Sequence, residues 1–291
     1  MVCRIHEDQT VTDSTTLMLD GLRFPECPRW HEGALWFSDM HDCMVVRLEP
    51  GGRAETVVEV PGGPAGLGWL PDGRLLVVSM QDRKLLRLDG NRLVEVADLH
   101  GVASYHANDM VVDSKGRAYI GNFGFDVHGG AKLAATNLAL VTPDGEVRVA
   151  AENMRFPNGS VITPDGKTLI VGESFRSALT AFDILEDGAL ENRRTWAHLG
   201  RRTPPDGCCL DAENGIWVAI PTTFGLVRVV EGGEITDRIS LEHDAFACML
   251  GGPEGKTLYV CTAEDSNPHH SGNRSGRIEA IEVRIPRAGR P

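Results

Sequence analysis

Short apolar runs separated by tight polar turns pattern this chain from end to end. The unit is plainest in Arg155-Phe156-Pro157-Asn158-Gly159-Ser160-Val161-Ile162-Thr163-Pro164-Asp165-Gly166-Lys167-Thr168-Leu169-Ile170-Val171. Val, Ile and Thr fill two strand-length runs, and Pro-Asp-Gly fills the turn between them. Pro presets one dihedral, Asp bonds its own backbone and Gly accepts a left-handed conformation, so the segment reads as a β-hairpin. One hairpin cannot bury its apolar face alone, and the chain supplies copies. The turn glycines recur at 33, 73, 116, 166, 215 and 255, at spacings of 40, 43, 50, 49 and 40. That period belongs to stacked or radial β units. No segment between the repeats carries a helical stripe.

Each hairpin is followed by a third strand and a weaker fourth, such as 55–60, 93–97, 147–150 and 194–198. Six four-stranded antiparallel units closed in a ring make an all-β, six-bladed propeller, which leaves few sheet edges open. The sixth unit is short of a fourth strand. Residues 15–19 are expected to supply it, so that an N-terminal strand closes the ring. An open solenoid or two packed sandwiches is the rival architecture. No linker divides the chain, which reads as one domain over 1–291 with its core at about 15–285. Residues 1–12 read as a loose leader. Two longer excursions, 121–137 and 263–275, are candidate site-facing loops. Trp30, Trp36, Trp69 and Trp217 fall on hairpin strands and read as inter-blade core.

Composition narrows the partners. The formal charge of −12 disfavours nucleic acid and anionic membranes, which need a positive footprint. No stretch of 18 consecutive apolar residues suggests a membrane helix. Seven cysteines without a Cys-x-x-Cys pair, and no apolar run among residues 1–20, point to structural thiols in a cytoplasmic, reducing setting. Cys208 and Cys209 are strand neighbours and should face opposite sides.

The candidate chemistry sits just before the first strand of each hairpin. Counting back from the turn glycine, Glu26 stands at minus seven, Asn108 and Asn158 at minus eight, and Asp206 at minus nine. The remaining two units carry Ala65 and Ala247 there. Equivalent positions in a radial repeat are equidistant from the axis, so these four side chains should converge at one mouth of the channel. Two carboxylates and two carboxamides make an oxygen-rich cage of charge −2. Such a cage suits one divalent ion: Ca²⁺, Mg²⁺ or Mn²⁺ by hardness, with Zn²⁺ or Fe²⁺ as further options. The plainer alternative is that each residue caps its own strand through the backbone.

The set as a whole resembles the senescence-marker-protein/gluconolactonase family, which includes regucalcin and bacterial sugar-acid lactonases. The resemblance runs from about residue 17 to 285. It rests on Phe24-Pro25-Glu26-Cys27-Pro28-Arg29-Trp30, on Asn108-Asp109 before Met110-Val111-Val112-Asp113, on Phe156-Pro157-Asn158-Gly159, and on Pro205-Asp206-Gly207 before Cys208-Cys209-Leu210-Asp211. It implies a six-bladed propeller with a divalent ion in the channel, held by Glu26, Asn158 and Asp206. Asn108 would touch substrate or a water on the ion. The implied activity is hydrolysis of a lactone, with Asp206 or that water supplying the base or nucleophile. The expected partner is therefore a small-molecule lactone or ester, and the expected state is a monomer or weak homo-oligomer. Many sugar lactonases of the family carry Arg two residues before the asparagine matching Asn108. This chain has His106, a poorer donor than a guanidinium fork, which favours a less hydroxylated substrate. Phe123 and Phe125, from the 121–137 excursion, are expected to line the substrate pocket with His106. His269-His270 reads as surface loop. Neither a Gly-x-Ser-x-Gly elbow nor a dinucleotide fingerprint is present. A phosphotriester or other small-ester hydrolase, and a noncatalytic calcium-binding propeller, are the alternatives on the same cage.

Overall fold

The computed structural model describes residues 15–223 and 225–291. The expected leader at 1–12, with Cys3, lies outside the described residues. Six separate four-stranded antiparallel sheets account for the strands. The first blade runs Pro25–His31, Ala34–Asp39, Met44–Leu48 and Ala54–Glu59. The fourth, built on the longest hairpin signal, runs Pro157–Ile162, Thr168–Glu173, Ala178–Ile184 and Leu190–His198. The innermost strand of every blade touches those of both neighbours, which closes the ring. This is a six-bladed β-propeller.

Closure follows the expected route. Thr16–Leu22 pairs antiparallel with Gly276–Glu282 as the outermost strand of the sixth blade, with Thr16 opposite Ala280. First and last parts of the chain thus share one sheet, so the ring cannot open without breaking that ladder. A second tie was not legible in the sequence. Residues 284–291 cross the turn end of the ring. Arg287 N–H donates to Gly255 O at 2.8 Å, Ala288 N–H to Leu210 O at 2.9 Å and Arg290 N–H to Ile162 O at 2.9 Å. The tail therefore stitches blades six, five and four.

Five of the six turn glycines take the left-handed conformation, with φ of 75° at Gly33 and 71° at Gly166. The fifth turn differs: Asn214 holds the left-handed position at φ 60°. Gly215 is instead required by space, because a Cβ there would lie 2.4 Å from the Arg228 guanidinium carbon. That guanidinium is buried against Asp211, at 2.6 Å.

The core lies between blades. Cys208 and Cys209 belong to different apolar clusters, as alternation along a strand requires. Trp217 is buried. Trp30, Trp36 and Trp69 are only half-buried, yet they join blades: Trp69 meets Trp36 edge-on at 5.5 Å, and Trp30 stacks on Tyr259 at 5.5 Å. No disulfide forms among the described cysteines. Among the described residues no helix is long and apolar enough to cross a membrane.

Candidate active site

The innermost strands place the four candidate side chains. In five blades the pairing of first and second strand slips close to the candidate position: between Glu26 and Arg29, Pro64 and Leu67, Ala107 and Met110, Pro157 and Ser160, and Ala245 and Ala247. A bulge breaks strict alternation and re-aims side chains. Here it falls at Glu26, Asn108 and Asn158, at the start of the strand and at the mouth of the channel. Close approach between blades needs glycine next to these residues. A Cβ on Gly159 would lie 2.5 Å from the backbone oxygen of Asp206, and one on Gly207 would lie 2.4 Å from the Ala247 Cβ.

The four side chains meet. Asn108 Nδ2 donates to Asn158 Oδ1 at 3.1 Å. Asn158 is also hydrogen-bonded to the Asp206 carboxylate, and its Nδ2 donates to Ser174 Oγ at 3.3 Å. Ser174 Oγ in turn donates to Pro205 O at 2.7 Å, which fixes the approach to Asp206. Glu26 accepts the Cys27 N–H at 2.6 Å. Burial, and then repulsion from Asp206, push the Glu26 carboxyl well above its ordinary range. Burial also pushes Asp206 up to about 7, with Asp109 adding to the effect. Two carboxylates face each other in a desolvated site with no Lys or Arg among the residues lining it.

That arrangement fits a divalent cation. Its charge would cancel the repulsion, and carboxylate and carboxamide oxygens are hard donors. The Asn158 carbonyl oxygen has two lone pairs and spends one on Asn108. Among the described residues no three His, Cys, Asp or Glu side chains form a ligand cluster, so such a site depends on its carboxamides.

Below the cage lies a buried ion pair. Arg29 Nη2 bonds Asp109 Oδ1 at 2.5 Å and Met110 O at 2.5 Å, and its Nε donates to Leu67 O at 3.1 Å. Arg29 thus ties three blades and neutralises Asp109 beside the two cage carboxylates. Asp39 and Glu173, both fully buried, anchor the approach to two of the inner strands. Asp39 accepts the Phe24 N–H at 2.8 Å, and Glu173 accepts the Arg155 N–H at 2.9 Å.

The cage opens into a cavity of about 530 Å³. Glu26, Asn108, Asn158, Asp206, His106 and Phe123 all line it. Phe125 does not; it is buried behind the wall, packing against Phe175 at 5.3 Å and Phe156 at 6.3 Å. His269 is exposed, as the surface reading expected, and lines the cavity as well. His270, its neighbour, is exposed and pairs with Asp265. The 263–275 excursion therefore reaches the mouth through Ser266, Pro268 and His269, and not through His270. A second hollow, of about 350 Å³, lies at the turn end against Trp69 and the C-terminal tail, and neither cage carboxylate lines it.

Other lining residues were missed: Phe24, His41, Tyr105, His128, Phe156, Phe175 and Phe246. Part of that list had a signal. Phe24, His106, Phe156 and Pro204 each stand two residues before a cage residue, the spacing that shares one face where the chain is extended; Phe156 departs from that rule, at a left-handed φ of 58°. His41 and Phe175 come from the loops that follow second strands, where no periodicity constrains residue type. Burial pushes His41 down to about 4, so its imidazole is neutral, and its Nδ1 has no hydrogen-bond partner.

Comparison with known proteins identifies the family. The profile of the SMP-30/gluconolactonase/LRE-like region matches residues 24–264. Regucalcin of Xenopus laevis is 26% identical over 82% of this chain and 83% of its own length. Pentonolactonase XacC of Haloferax volcanii is 26% identical over 92% of this chain and 93% of its own. Among solved structures, the calcium-binding protein regucalcin from Agrobacterium tumefaciens superposes with a TM-score of 0.80 at 19% identity, covering 96% of each chain. The chain belongs to the SMP-30/gluconolactonase/LRE-like family.

Proposed function

We propose that this protein hydrolyses a lactone, the cyclic ester of a small hydroxy acid, with a divalent cation held by Glu26, Asn158 and Asp206. The observation that carries this reading is a buried carboxylate, Glu26, repelled by a half-buried one, Asp206, which is hydrogen-bonded to the Asn158 carboxamide, with no Lys or Arg lining the cavity among the described residues. Isolated buried carboxylates are costly unless a counter-charge joins them. The pentonolactonase relative supports the reaction class, and the calcium-binding regucalcin relative supports the ion class.

When bound, the cation supplies Lewis acidity toward an ester carbonyl oxygen, worth several kcal/mol of charge stabilisation. The chain's own residues do the rest. Asp206 is half-buried with its open edge on the cavity, where it can orient an attacking water or take its proton. A cation lowers the basicity of a carboxylate it binds, so orientation is the larger part of that role. Asn108 has two amide hydrogens, and Asn158 takes one. The other is free to donate to an oxygen of the substrate. The apolar walls exclude bulk water and so strengthen these polar contacts. In the overall reaction one water adds across the acyl C–O bond, giving one carboxylic acid and one alcohol in a single open chain.

The test is a lactone panel with purified protein, stripped by a chelator and reloaded separately with Ca²⁺, Mg²⁺, Mn²⁺, Zn²⁺ or Fe²⁺. Wild type should turn over at least one lactone only when reloaded, and Asp206→Ala should lose that activity. Full turnover in chelator would overturn the metal requirement. Activity on phosphotriesters with none on any lactone would overturn the reaction class.

A further inference from the structure

The walls of the cavity specify more than the reaction class. Five of the chain's nine phenylalanines line it. They form two aromatic groups. In the first, Phe24 stacks on His41 at 4.8 Å and meets Phe246 edge-on at 4.9 Å. In the second, Phe123 stacks on Phe156 at 4.6 Å, with Phe175 against Phe156 at 5.5 Å and the Tyr105–His106 stack beside Phe123. Met40 and Met80 add adaptable apolar surface. Phe175 stays 45% exposed although its neighbours are packed, an open ring face at the mouth.

Beyond the cage, the polar side chains of the lining are Gln81, Tyr105, Asp126, Ser174, Ser266 and the imidazoles of His41, His106, His128 and His269. No Lys or Arg lines the cavity among the described residues, so a charged carboxylate or phosphate on the substrate would meet no cationic side chain. Ser174 already spends its one hydroxyl hydrogen on Pro205 O and accepts from Asn158. The imidazoles of His41, His106 and His128 are all held toward neutrality by burial. Hydroxyl groups pressed against the phenylalanine faces would lose water without replacement, whereas a ring would gain stacking and edge contacts there.

On the hydrolase reading above, we infer that the substrate is an uncharged lactone bearing an aromatic or comparably bulky apolar substituent, seated between the Phe24 and Phe123–Phe156–Phe175 walls, and not a polyhydroxylated sugar lactone. The experiment compares three six-membered lactones on the metal-loaded protein: δ-valerolactone, a phenyl-substituted δ-valerolactone and glucono-δ-lactone. The phenyl compound should exceed the parent in kcat/KM by about 10-fold, the scale of one good aromatic contact, and the polyhydroxylated compound should fall below both. Phe175→Ala, at a partly exposed site that folding tolerates, should narrow the phenyl-to-parent ratio about 3-fold, the low end of the same range. A higher kcat/KM for the polyhydroxylated lactone than for the phenyl lactone overturns the inference. Calorimetry with the matching non-hydrolysable lactams reads the pocket without turnover. If the phenyl lactam binds no tighter than the polyhydroxylated one, the inference falls whatever the kinetics. If it binds tighter while no lactone is opened, the hydrolase reading falls and the pocket preference stands.

Discussion

Replacing Asp206 with Asn should make the metal-free protein more stable at alkaline pH while abolishing its activity. In the folded, metal-free chain burial holds the Asp206 proton to about 7, against 3.8 for the free side chain. Between those values the folded state binds more protons than the unfolded one, so stability falls as pH rises. Below about 4 the cost is absent, and above 7 it is complete. At 1.36 kcal/mol per pH unit the difference sets a ceiling of ~4 kcal/mol. The carboxylate's open edge faces the cavity, and solvent there reduces the expectation to ~2 kcal/mol. Asn keeps the shape and an acceptor for the Gly207 N–H, and it removes the charge. Urea unfolding in chelator is the assay. With an m-value of roughly 3 kcal/mol/M, Asp206→Asn should unfold ~0.7 M higher than wild type at pH 8 and at nearly the same concentration at pH 4. Excess divalent ion should raise the wild-type midpoint and leave the variant almost unmoved. An equal difference between the two proteins at both pH values would refute the reasoning, because the gain would then owe nothing to a buried charge.

Other consequences are simpler to state. Arg29→Leu strands Asp109 beside two further acids and should cost ~3–5 kcal/mol; adding Asp109→Asn should recover much of it in the same unfolding assay. Gly159→Ala forces a Cβ to within 2.5 Å of the Asp206 carbonyl oxygen and should cost at least ~1–3 kcal/mol, with turnover falling further because Asp206 and Asn158 are pushed apart. Chelation of the wild-type protein should lower its thermal midpoint more at pH 8 than at pH 5, since protonation of the cage replaces the ion's stabilising role at acid pH; a larger drop at pH 5 would contradict that coupling.

How much of this was legible follows from what each signal constrains. A turn residue answers to its own backbone, so Pro164-Asp165-Gly166 could be read without knowing its neighbours, and the 40–50-residue spacing then implied a ring. Even there the fifth turn departed from the count. Asn214 took the left-handed position, and Gly215 was retained because the buried Arg228–Asp211 pair occupies the space a side chain would need. The cage residues were legible because a ring converts one repeated offset into one location. The C-terminal tie was not, since Arg287 to Arg290 bind through backbone groups that any residue but Pro supplies.

The cavity walls divide along the same line. Where the approach to an inner strand is extended, the residue two before a cage position faces the mouth with it. Phe24 and Pro204 could have been read that way; His106 was named instead from the family resemblance, and Phe156 reaches the wall through a left-handed φ of 58° that no alternation predicts. Phe125 was chosen for its chemistry, and it points behind the wall because Phe123, two residues earlier, follows a strand that ends at Asn122 and leads into a loop with no alternation to extend. Specificity in this architecture is therefore written at two levels. On the proposed function, the inner strands carry the repeated, sequence-readable cage, and with it the reaction class. The aromatic groups come from both the strands and the loops: Phe246 lies on an inner strand, whereas Phe123 and Phe175 lie in loops whose side-chain directions depend on packing between blades.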